Sequence, residues 1–218
     1  MRIGVLGTGM VGRAIGSKLV ALGHEVRMGS RTPDNEKAAD WVSSTGAGAA
    51  ASQGTFADTA DFGELVINCT SGGASLQALS AAGAEHLAGK VLVDVANTLD
   101  FSPGPPPSLL VTTKESLGEQ IQEAFPEARV VKTLNTVNCD VMVDPSRVPG
   151  EHDIFVSGND DAAKATVREL LESFGWGTDR IVDLGDISTA RGPELYIVLW
   201  LRLFGLFGDS EFNIKVVR

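Results

Sequence analysis

The chain has 218 residues, of which 43% are hydrophobic, and this is enough to form one sizeable core. Its 18 Lys and Arg against 28 Asp and Glu give a net charge of −10, which excludes a basic nucleic-acid-binding surface and disfavours an anionic membrane. The two cysteines, Cys69 and Cys139, have no metal-ligand spacing and cannot form a disulfide framework, so we predict no metal site.

In the first half of the chain, apolar runs alternate with segments of helical periodicity. The pattern predicts strands at 2–6, 25–28, 55–57, 65–69 and 91–95. It predicts helices at 10–22, 36–43 and 75–86. The first of these helices carries one apolar face, formed by Val11, Ile15, Leu19 and Leu22. Four prolines and one glycine predict a loop at 100–108.

The second half repeats this alternation. Strands are predicted at 129–134, 153–157 and 181–184, and helices at 117–125, 160–174 and 193–206. Repeated strand–helix–strand order with continuously apolar strands indicates a doubly wound, mostly parallel α/β sheet with helices on both faces, a Rossmann fold. We expect a single domain, with the sheet and its helices in 1–188 and a C-terminal helical appendage with its tail in 189–218.

A glycine motif, G-x-G-x-x-G, follows the first strand and opens the first helix, which is the context that the dinucleotide-binding fingerprint requires. The first glycine permits a tight turn, the second lets the backbone approach a pyrophosphate, and the third allows close packing of helix and strand. Free N–H groups at the start of the helix can then bind phosphate. The predicted cofactor-binding residues of this loop are Gly7, Thr8, Gly9, Met10, Val11 and Gly12.

The end of the second strand indicates which dinucleotide is bound. NAD-binding proteins usually carry an acidic residue there for the ribose 2′-hydroxyl, but this chain has Ser30 followed by Arg31. A carboxylate would repel a 2′-phosphate, whereas a hydroxyl and a guanidinium would donate hydrogen bonds to it, each contributing roughly 1.5–3 kcal/mol. We therefore predict NADP(H), with Thr32 and Lys37 as additional partners; an ordinary solvated turn is the alternative.

Several segments together resemble the NADP-dependent coenzyme F420 reductase family, and they are also similar to the oxidoreductase domain of the STEAP metalloreductases. These segments are IGVLGTGMVGRAI from residue 3, GSR at 29–31, VLVDVANTL at 91–99, VVKTLNTV at 130–137 and FNIKVV at 212–217. The resemblance implies hydride transfer between NADP(H) and a deazaflavin (coenzyme F420) or a flavin. In archaeal F420 enzymes a histidine is expected where this chain has Asn135, so the sequence leaves deazaflavin and flavin both open.

By the same resemblance, the nicotinamide would lie at the ends of the fourth to sixth strands. The residues at these ends are Thr70, Ser71, Ala96, Asn97, Asn135 and Thr136. The general rule that ligands of doubly wound sheets bind beyond the carboxyl ends of the strands agrees with this placement. Hydride transfer needs mainly that the two reacting atoms are held about 3–3.5 Å apart in a dry slot. Asn135 and Thr136 are the predicted catalytic residues, orienting the rings or binding a carbonyl.

Other polar residues are predicted to be structural. His24, His86 and His152 lie before a strand, late in a helix and before a strand, and Asp94 is expected to be bonded by backbone N–H groups within its strand. An anionic acceptor would need a local basic patch. The candidates for that patch are Lys132, Arg147, Arg191 and Lys215. For Lys132, an edge or solvent-facing position is the alternative.

The last predicted helix is apolar on nearly every side. Its apolar residues are Leu195, Val198, Leu199, Leu201, Leu203, Phe204, Leu206 and Phe207. Such a helix must be buried, and a small sheet domain covers only one face, so we predict a homodimer formed through this helix. The apolar stretch at 197–208 contains Arg202 and is shorter than the roughly twenty residues of a membrane span, and no cleavage site follows Met1. We expect a soluble cytoplasmic protein.

Two other functions fit the same motifs. One is an NADPH-dependent reductase of a small carbonyl or imine, although such enzymes usually carry a Lys, Tyr or Asp proton donor and a separate helical substrate domain. The other is a non-enzymatic redox sensor, in which NADP(H) occupancy alters a surface that binds a partner.

Overall fold

Short apolar runs form the strands of a central sheet, in a computed structural model that describes residues 1–100, 102, 104, 107–110 and 113–218. The strands are β1 (Arg2–Leu6), β2 (Glu25–Ser30), β3 (Ala51–Thr55), β4 (Leu65–Asn68), β5 (Val91–Asp94), β6 (Leu99–Asp100), β7 (Ser108–Leu109), β8 (Arg129–Thr133), β9 (Ile154–Gly158) and β10 (Ile181–Asp183). The helices are α1 (Met10–Ala21), α2 (Glu36–Thr45), α3 (Phe56–Phe62), α4 (Gly72–Ala82), α5 (Ala84–Leu87), α6 (Leu117–Ala124), α7 (Cys139–Val143), α8 (Asp161–Phe174) and α9 (Arg191–Phe207).

Eight of these strands form one sheet in the order β10-β9-β8-β5-β4-β1-β2-β3. Neighbouring strands are parallel except β8 and β9, which are antiparallel. Buried apolar side chains form one cluster that includes Ile15, Trp41 and Phe174 and another that includes Leu79 and Ile121. Because the helices that carry these residues cover both faces, the predicted doubly wound, mostly parallel sheet is confirmed.

The strand order fixes where a ligand can enter. From β1 the chain runs outward to β2 and β3, then returns across the sheet to β4 and continues on the other side. The crevice at such a reversal, beyond the carboxyl ends of the strands, is the usual ligand site of doubly wound sheets. In this chain the reversal lies between β1 and β4, which pair in parallel from Ile3 with Leu65 to Leu6 with Asn68.

The predicted strand at 55–57 is wrong, because Phe56 already begins α3. Thr55 is the N-cap of this helix: its hydroxyl accepts from the Asp58 N–H at 3.1 Å, and the Asp58 carboxylate accepts from the Thr55 N–H at 2.9 Å. This capping box satisfies two helix-end donors and favours the helix over an extended chain. The strand lies just before it, in β3.

Other boundaries differ for similar local reasons. The predicted helix at 75–86 begins earlier and is divided into α4 and α5 at Gly83, whose φ of +90° no helix interior allows. Leu22 lies beyond the end of α1 and is 41% exposed, so it does not join the apolar face of that helix. The predicted loop at 100–108 lies partly outside the described residues, and its described ends form the antiparallel pair β6–β7.

After α9 the chain returns to the sheet. The N–H of Asp153 donates to the carbonyl of Ile214 at 2.9 Å, and the N–H of Val216 donates to the Asp153 carboxylate at 2.6 Å. This return holds the C-terminal tail against Asp153, just before β9. No described helix is long and apolar enough to cross a membrane. The cytoplasmic location stays a prediction.

Candidate functional site

A cleft follows the carboxyl edge of the sheet and has two adjoining halves. The loop half, of about 390 Å³, lies between the glycine motif, the end of β2 and α4, whereas the helix half, of about 760 Å³, lies between the end of β5 and α9. Gly9, Cys69, Thr70 and Ser71 line both halves, so the two cavities form one continuous cleft.

Most of the predicted cofactor-binding residues line this cleft. The loop half is lined by Gly7, Thr8, Gly9, Ser30, Arg31, Thr70 and Ser71, and the helix half by Gly9, Met10, Val11, Thr70, Ser71, Ala96 and Asn97. Gly12, Thr32 and Lys37 do not line it; Gly12 is buried, and Thr32 and Lys37 are exposed. Their direct participation stays a prediction.

The three glycines of the motif meet different constraints. Gly7 has a φ of +114°, and a Cβ there would lie 2.7 Å from the carbonyl oxygen of Cys69. A Cβ on Gly12 would lie 2.1 Å from the carbonyl oxygen of Gly7, whereas one on Gly9 would meet nothing within 4 Å. Gly7 is therefore required both by its backbone conformation and by packing, Gly12 is required by packing, and the space at Gly9 is open to the cleft.

The start of α1 provides donors to this space. Gly9 is its N-cap and offers no side-chain cap, so the first-turn N–H groups of the helix are left for a ligand. The helix dipole adds partial positive charge at the same point. An anionic group is thereby attracted locally, although the net charge of −10 opposes it globally.

Ser30 and Arg31 play different parts at the end of β2. Ser30 is buried, with 5% of the residue exposed. Its hydroxyl donates to the Thr32 carbonyl at 2.5 Å and accepts from the Thr32 N–H at 3.3 Å, so it shapes the turn. Arg31 is exposed, lines the loop half, and has no hydrogen bond or ion pair within the described part of the chain. Among the described residues that line the loop half, Arg31 is the one cation, and its guanidinium is free to bind a ligand.

Asn135 and Thr136 lie behind the wall of the cleft rather than in it. Both are buried, at 2% and 1% exposure, and neither lines the described cavities. The Asn135 amide donates to the Asn97 side-chain oxygen at 3.1 Å and to the Pro193 carbonyl at 3.0 Å, and the Asn97 amide donates to the Asn135 carbonyl at 2.7 Å. In this geometry Asn97 faces the cleft, and Asn135 orients it from behind.

The backbone at the end of β8 explains this inward position. Leu134 has a φ of +62°, an uncommon conformation for a residue with a side chain, and it is 3% exposed in the core. The turn brings the N–H of Asn135 to the Thr133 carbonyl at 2.8 Å. The Thr136 hydroxyl is buried and has no hydrogen-bond partner among the described residues.

Lys132 neither lines the cleft, where it could face an acceptor, nor lies at an edge or in solvent, so neither predicted position is correct. It is 1% exposed, and its Nζ lies 2.7 Å from the Asp94 carboxylate, 2.9 Å from the Glu194 carboxylate and 2.5 Å from the Ala96 carbonyl. Burial alone would lower the pKa of Lys132, but the two carboxylates outweigh it and raise the pKa. We call Asp94, Lys132 and Glu194 the Lys132 cluster.

The environment of Asp94 also differs from the prediction. Its carboxylate accepts from the Ala96 N–H at 3.3 Å, as expected, but also from the Asn68 side-chain amide at 2.8 Å and from Lys132. The Asn68 oxygen in turn accepts from the Thr70 hydroxyl at 2.7 Å. A chain of buried hydrogen bonds therefore connects the Lys132 cluster to Thr70, where the two halves of the cleft meet.

The predicted basic patch is not assembled. Arg191 is paired with Glu119, Arg147 with Glu211, and Lys215 with Glu151. With Lys132 buried as well, none of the four cations lines the described cleft. The correction has a simple cause: the chain has more carboxylates than cations, and each of these cations lies beside one.

The wall formed by α9 contains site residues that the sequence analysis did not name individually. Trp200, Leu201 and Phe204 line the helix half, together with Val137, Cys139 and Met142 from the segment after β8. The Trp200 indole stacks on Phe204 with a centroid distance of 5.4 Å. The helical periodicity carried a signal, since residues 197, 201 and 204 follow one another at the spacing of a single helix face.

The outer face of α9 is not covered within the chain. Val198, Leu199, Leu206 and Phe207 are 47%, 52%, 75% and 57% exposed. The burial predicted for every side of this helix is therefore not provided by the chain itself.

Nucleophilic and metal-binding groups do not assemble at the cleft. Burial raises the pKa of the Cys69 and Cys139 thiols, so both are protonated at neutral pH. None of the three histidines lines the cleft, and His152 is bonded to the Pro145 carbonyl and Asn213. No metal-binding group of His, Cys, Asp and Glu is found among the described residues. The cleft can position a ligand more readily than it can attack one.

Comparison with known proteins identifies relatives along the whole chain. The family model of NADP oxidoreductases, coenzyme F420-dependent, matches residues 2–98. The crystal structure of a candidate F420-dependent NADP reductase from Arthrobacter sp. FB24 is 51% identical, covers 99% of both chains and superposes with a TM-score of 0.93. An imine reductase from Aspergillus terreus, 20% identical with a TM-score of 0.66, shares the fold over 95% of this chain and 62% of its own.

Two curated relatives are more distant. The metalloreductase STEAP3 of Rattus norvegicus is 28% identical over 193 residues, which are 88% of this chain and 36% of that protein. The F420-dependent NADP reductase of Methanocaldococcus jannaschii is 28% identical over 135 residues, 62% of this chain and 59% of that protein. The matched regions are thus only part of either relative.

The different constraints on Gly12 and Gly9 predict different costs for the same substitution. Gly12→Ala places a methyl group against the Gly7 carbonyl and should destabilise the protein by about 1–3 kcal/mol, even though alanine favours the helix. Gly9→Ala meets open space and should change stability by less than about 0.5 kcal/mol. Urea unfolding measures both free energies, and equal stability of the two variants would contradict the packing argument.

Proposed function

The chain belongs to the family of coenzyme F420-dependent NADP oxidoreductases, and from this membership we propose that it transfers a hydride between NADP(H) and a deazaflavin or flavin. The observation that carries the proposal is the continuity of the cleft. A half with anion-binding features and a half with apolar walls adjoin at Thr70 and Ser71. Two cofactors can therefore meet without leaving the protein.

The loop half fits the adenosine and phosphate part of NADP(H). The uncapped start of α1 faces a pyrophosphate, and the empty space at Gly9 lets the ligand approach the backbone. Arg31 is exposed and unpaired within the described residues, and no carboxylate occupies 29–32, so the end of β2 suits a 2′-phosphate. These features support the choice of NADP(H) over NAD(H).

The helix half fits two stacked rings. Its walls are mainly apolar, with Val95 and Ala96 on the sheet side and Trp200, Leu201 and Phe204 on the α9 side. When bound, NADP(H) supplies the hydride, and the protein contributes position and exclusion of water. We propose that Asn97 contacts the nicotinamide end of the cofactor, and that Asn135 and Thr136 act from behind it as positioning residues.

The two other functions predict different behaviour. An imine or carbonyl reductase would need a proton donor beside the substrate, and Tyr196, the single tyrosine, does not line the described cleft. The imine reductases that share this fold are also longer, since the chain covers 62% of their length. A sensor would bind NADPH without turnover. A flavin or deazaflavin ring stacked on the nicotinamide would account for the apolar wall more simply than either of these functions would.

A second copy of the chain is the proposed cover for the outer face of α9. This face exposes Val198, Leu199, Leu206 and Phe207 around the charged Arg202, and several large apolar side chains exposed together mark a protein contact. A two-fold axis would place the same face of each copy against the other, which matches apolar surface with apolar surface.

The function is tested with a panel of acceptors. NADPH oxidation is followed by the loss of its absorbance with F420, FMN, FAD and no acceptor, and the series is repeated with NADH. We expect oxidation of NADPH with F420 or with a flavin as acceptor, and little oxidation of NADH. Turnover only with small imines or carbonyls would support the alternative enzyme, and tight NADPH binding without any turnover would favour the sensor.

Cofactor choice is tested at Arg31. Arg31→Ser removes the charge that the 2′-phosphate would meet, and should weaken NADPH binding roughly tenfold to a hundredfold. NADH lacks this phosphate, so its affinity is the internal control and should stay within about twofold. Calorimetric titration measures both dissociation constants. An equal loss for the two cofactors would show that Arg31 acts on the fold rather than on the 2′-phosphate.

The assembly is tested by sedimentation. We expect a species of twice the 22.9 kDa chain mass at micromolar concentration. Leu199→Glu together with Leu206→Glu places charges on the outer face of α9 and should shift the protein to single chains, because a buried unpaired charge is costly. A wild-type protein that sediments as single chains would rule out the dimer.

A further inference from the structure

The Lys132 cluster is a buried group of charges to which the proposed hydride transfer assigns no role. It contains one ammonium and two carboxylates, and all three side chains are at most 1% exposed. The start of α6 compensates for the excess negative charge, since the N–H groups of Leu117 and Gly118 donate to the Glu194 carboxylate at 2.7 and 3.0 Å. Each charge therefore has close partners of the opposite sign.

Apolar side chains of similar volume would stabilise the fold about as well as this cluster does. The cluster instead fixes the relative positions of the elements that carry it, because each hydrogen bond sets a distance between two particular elements. Lys132 donates to a side chain of β5, to the Ala96 carbonyl just after β5, and to Glu194 in the first turn of α9. Its three donors are thus divided between the sheet and α9.

Both of these elements continue directly into the helix half of the cleft. Ala96 and Asn97 line one wall, and Trp200, Leu201 and Phe204, two to three turns beyond Glu194 on α9, line the other. A second link runs parallel to the first, from Asn97 through the Asn135 amide to the Pro193 carbonyl. The distance between the two walls is therefore fixed at the start of α9.

We propose that Lys132 and Glu194 are positioning residues that set the separation between the sheet wall and the α9 wall of the helix half. Because two rings must stack there with their reacting atoms about 3–3.5 Å apart, a small displacement of α9 lowers the rate of hydride transfer far more than it lowers affinity for NADPH. The expected loss of rate rests on the proposed function, whereas the expected displacement of α9 does not.

The test compares two ion pairs of α9, one with Lys132 of β8 and one with Glu119 of α6. Glu194→Gln keeps the size of the side chain and removes its charge from the Lys132 cluster. Arg191→Met is the matched control, because Arg191 pairs with Glu119 of α6 at 2.8 Å and touches neither the cluster nor the cleft. Urea unfolding of both variants establishes that each is folded under the assay conditions.

The first readout needs no turnover. Cys139 lines the helix half beside α9 and is half-buried, so its alkylation by iodoacetamide, followed by peptide mass spectrometry, reports how far the wall has moved. We expect Glu194→Gln to label at Cys139 about fivefold faster than the wild type, and Arg191→Met to label within about twofold of it.

The second readout is kinetic. With the acceptor that the wild type uses, Glu194→Gln should lower kcat about tenfold while the NADPH dissociation constant stays within about twofold. If Glu194→Gln does not fold, Glu194→Asp keeps the charge and shortens the reach to Lys132, and the same increase in Cys139 labelling is expected.

The outcomes separate the two proposals. Cys139 labelling and kcat that stay at wild-type values in Glu194→Gln, or that change equally in Arg191→Met, would overturn the positioning role. A wild type that oxidises NADPH with none of F420, FMN and FAD would instead refute the proposed function. Faster labelling of Cys139 in Glu194→Gln alone would still establish that the Lys132 cluster sets the position of α9.

Discussion

Strands that run parallel in one sheet all end at the same edge of that sheet, and the arrangement of this site follows from that constraint. The glycine motif after β1, the turn after β2, Thr70 after β4 and Asn97 after β5 are separated in sequence but adjacent at one edge. The reversal of strand order between β1 and β4 opens the crevice there. The residues that approach the proposed ligands are therefore placed by topology, and only their chemistry is chosen locally.

The chemistry of the two halves answers two different problems. A protein with a net charge of −10 repels an anionic dinucleotide at a distance, so short-range donors at the start of α1 and a single unpaired guanidinium, within the described part of the cleft, must provide the attraction. The helix half has few polar groups and needs few, because hydride transfer between two rings requires alignment and a dry environment. Binding and alignment are thus assigned to separate walls of one cleft.

A feature of the fold or of the site could be predicted from the sequence where the residues that determine it lie close together in the chain. The phosphate loop was predictable because Gly7 is dictated by its own positive φ and Gly12 by a contact within one strand–turn–helix unit, and Arg31 by its place after β2. The α3 helix was missed although Thr55 and Asp58 form a capping box, since the apolar residues around them also suit a strand. Lys132 could not be interpreted, because one of its partners, Glu194, lies far along the chain and no periodicity connects a strand lysine to a distant helix.

The helix α9 brings these points together, because its three surfaces meet three different surroundings. Its first turn is fixed to the sheet through Glu194 and Pro193, its next turns face the cleft with Trp200 and Phe204, and its outer side exposes Leu199. A rigid helix transmits a shift at one of these surfaces to the others. Contact between two copies of the chain on the outer face would therefore act on the same wall that the Lys132 cluster holds from within. In such a dimer, the position of the aromatic wall of the helix half would depend both on a buried charge cluster and on assembly, and not on the residues of the cleft alone.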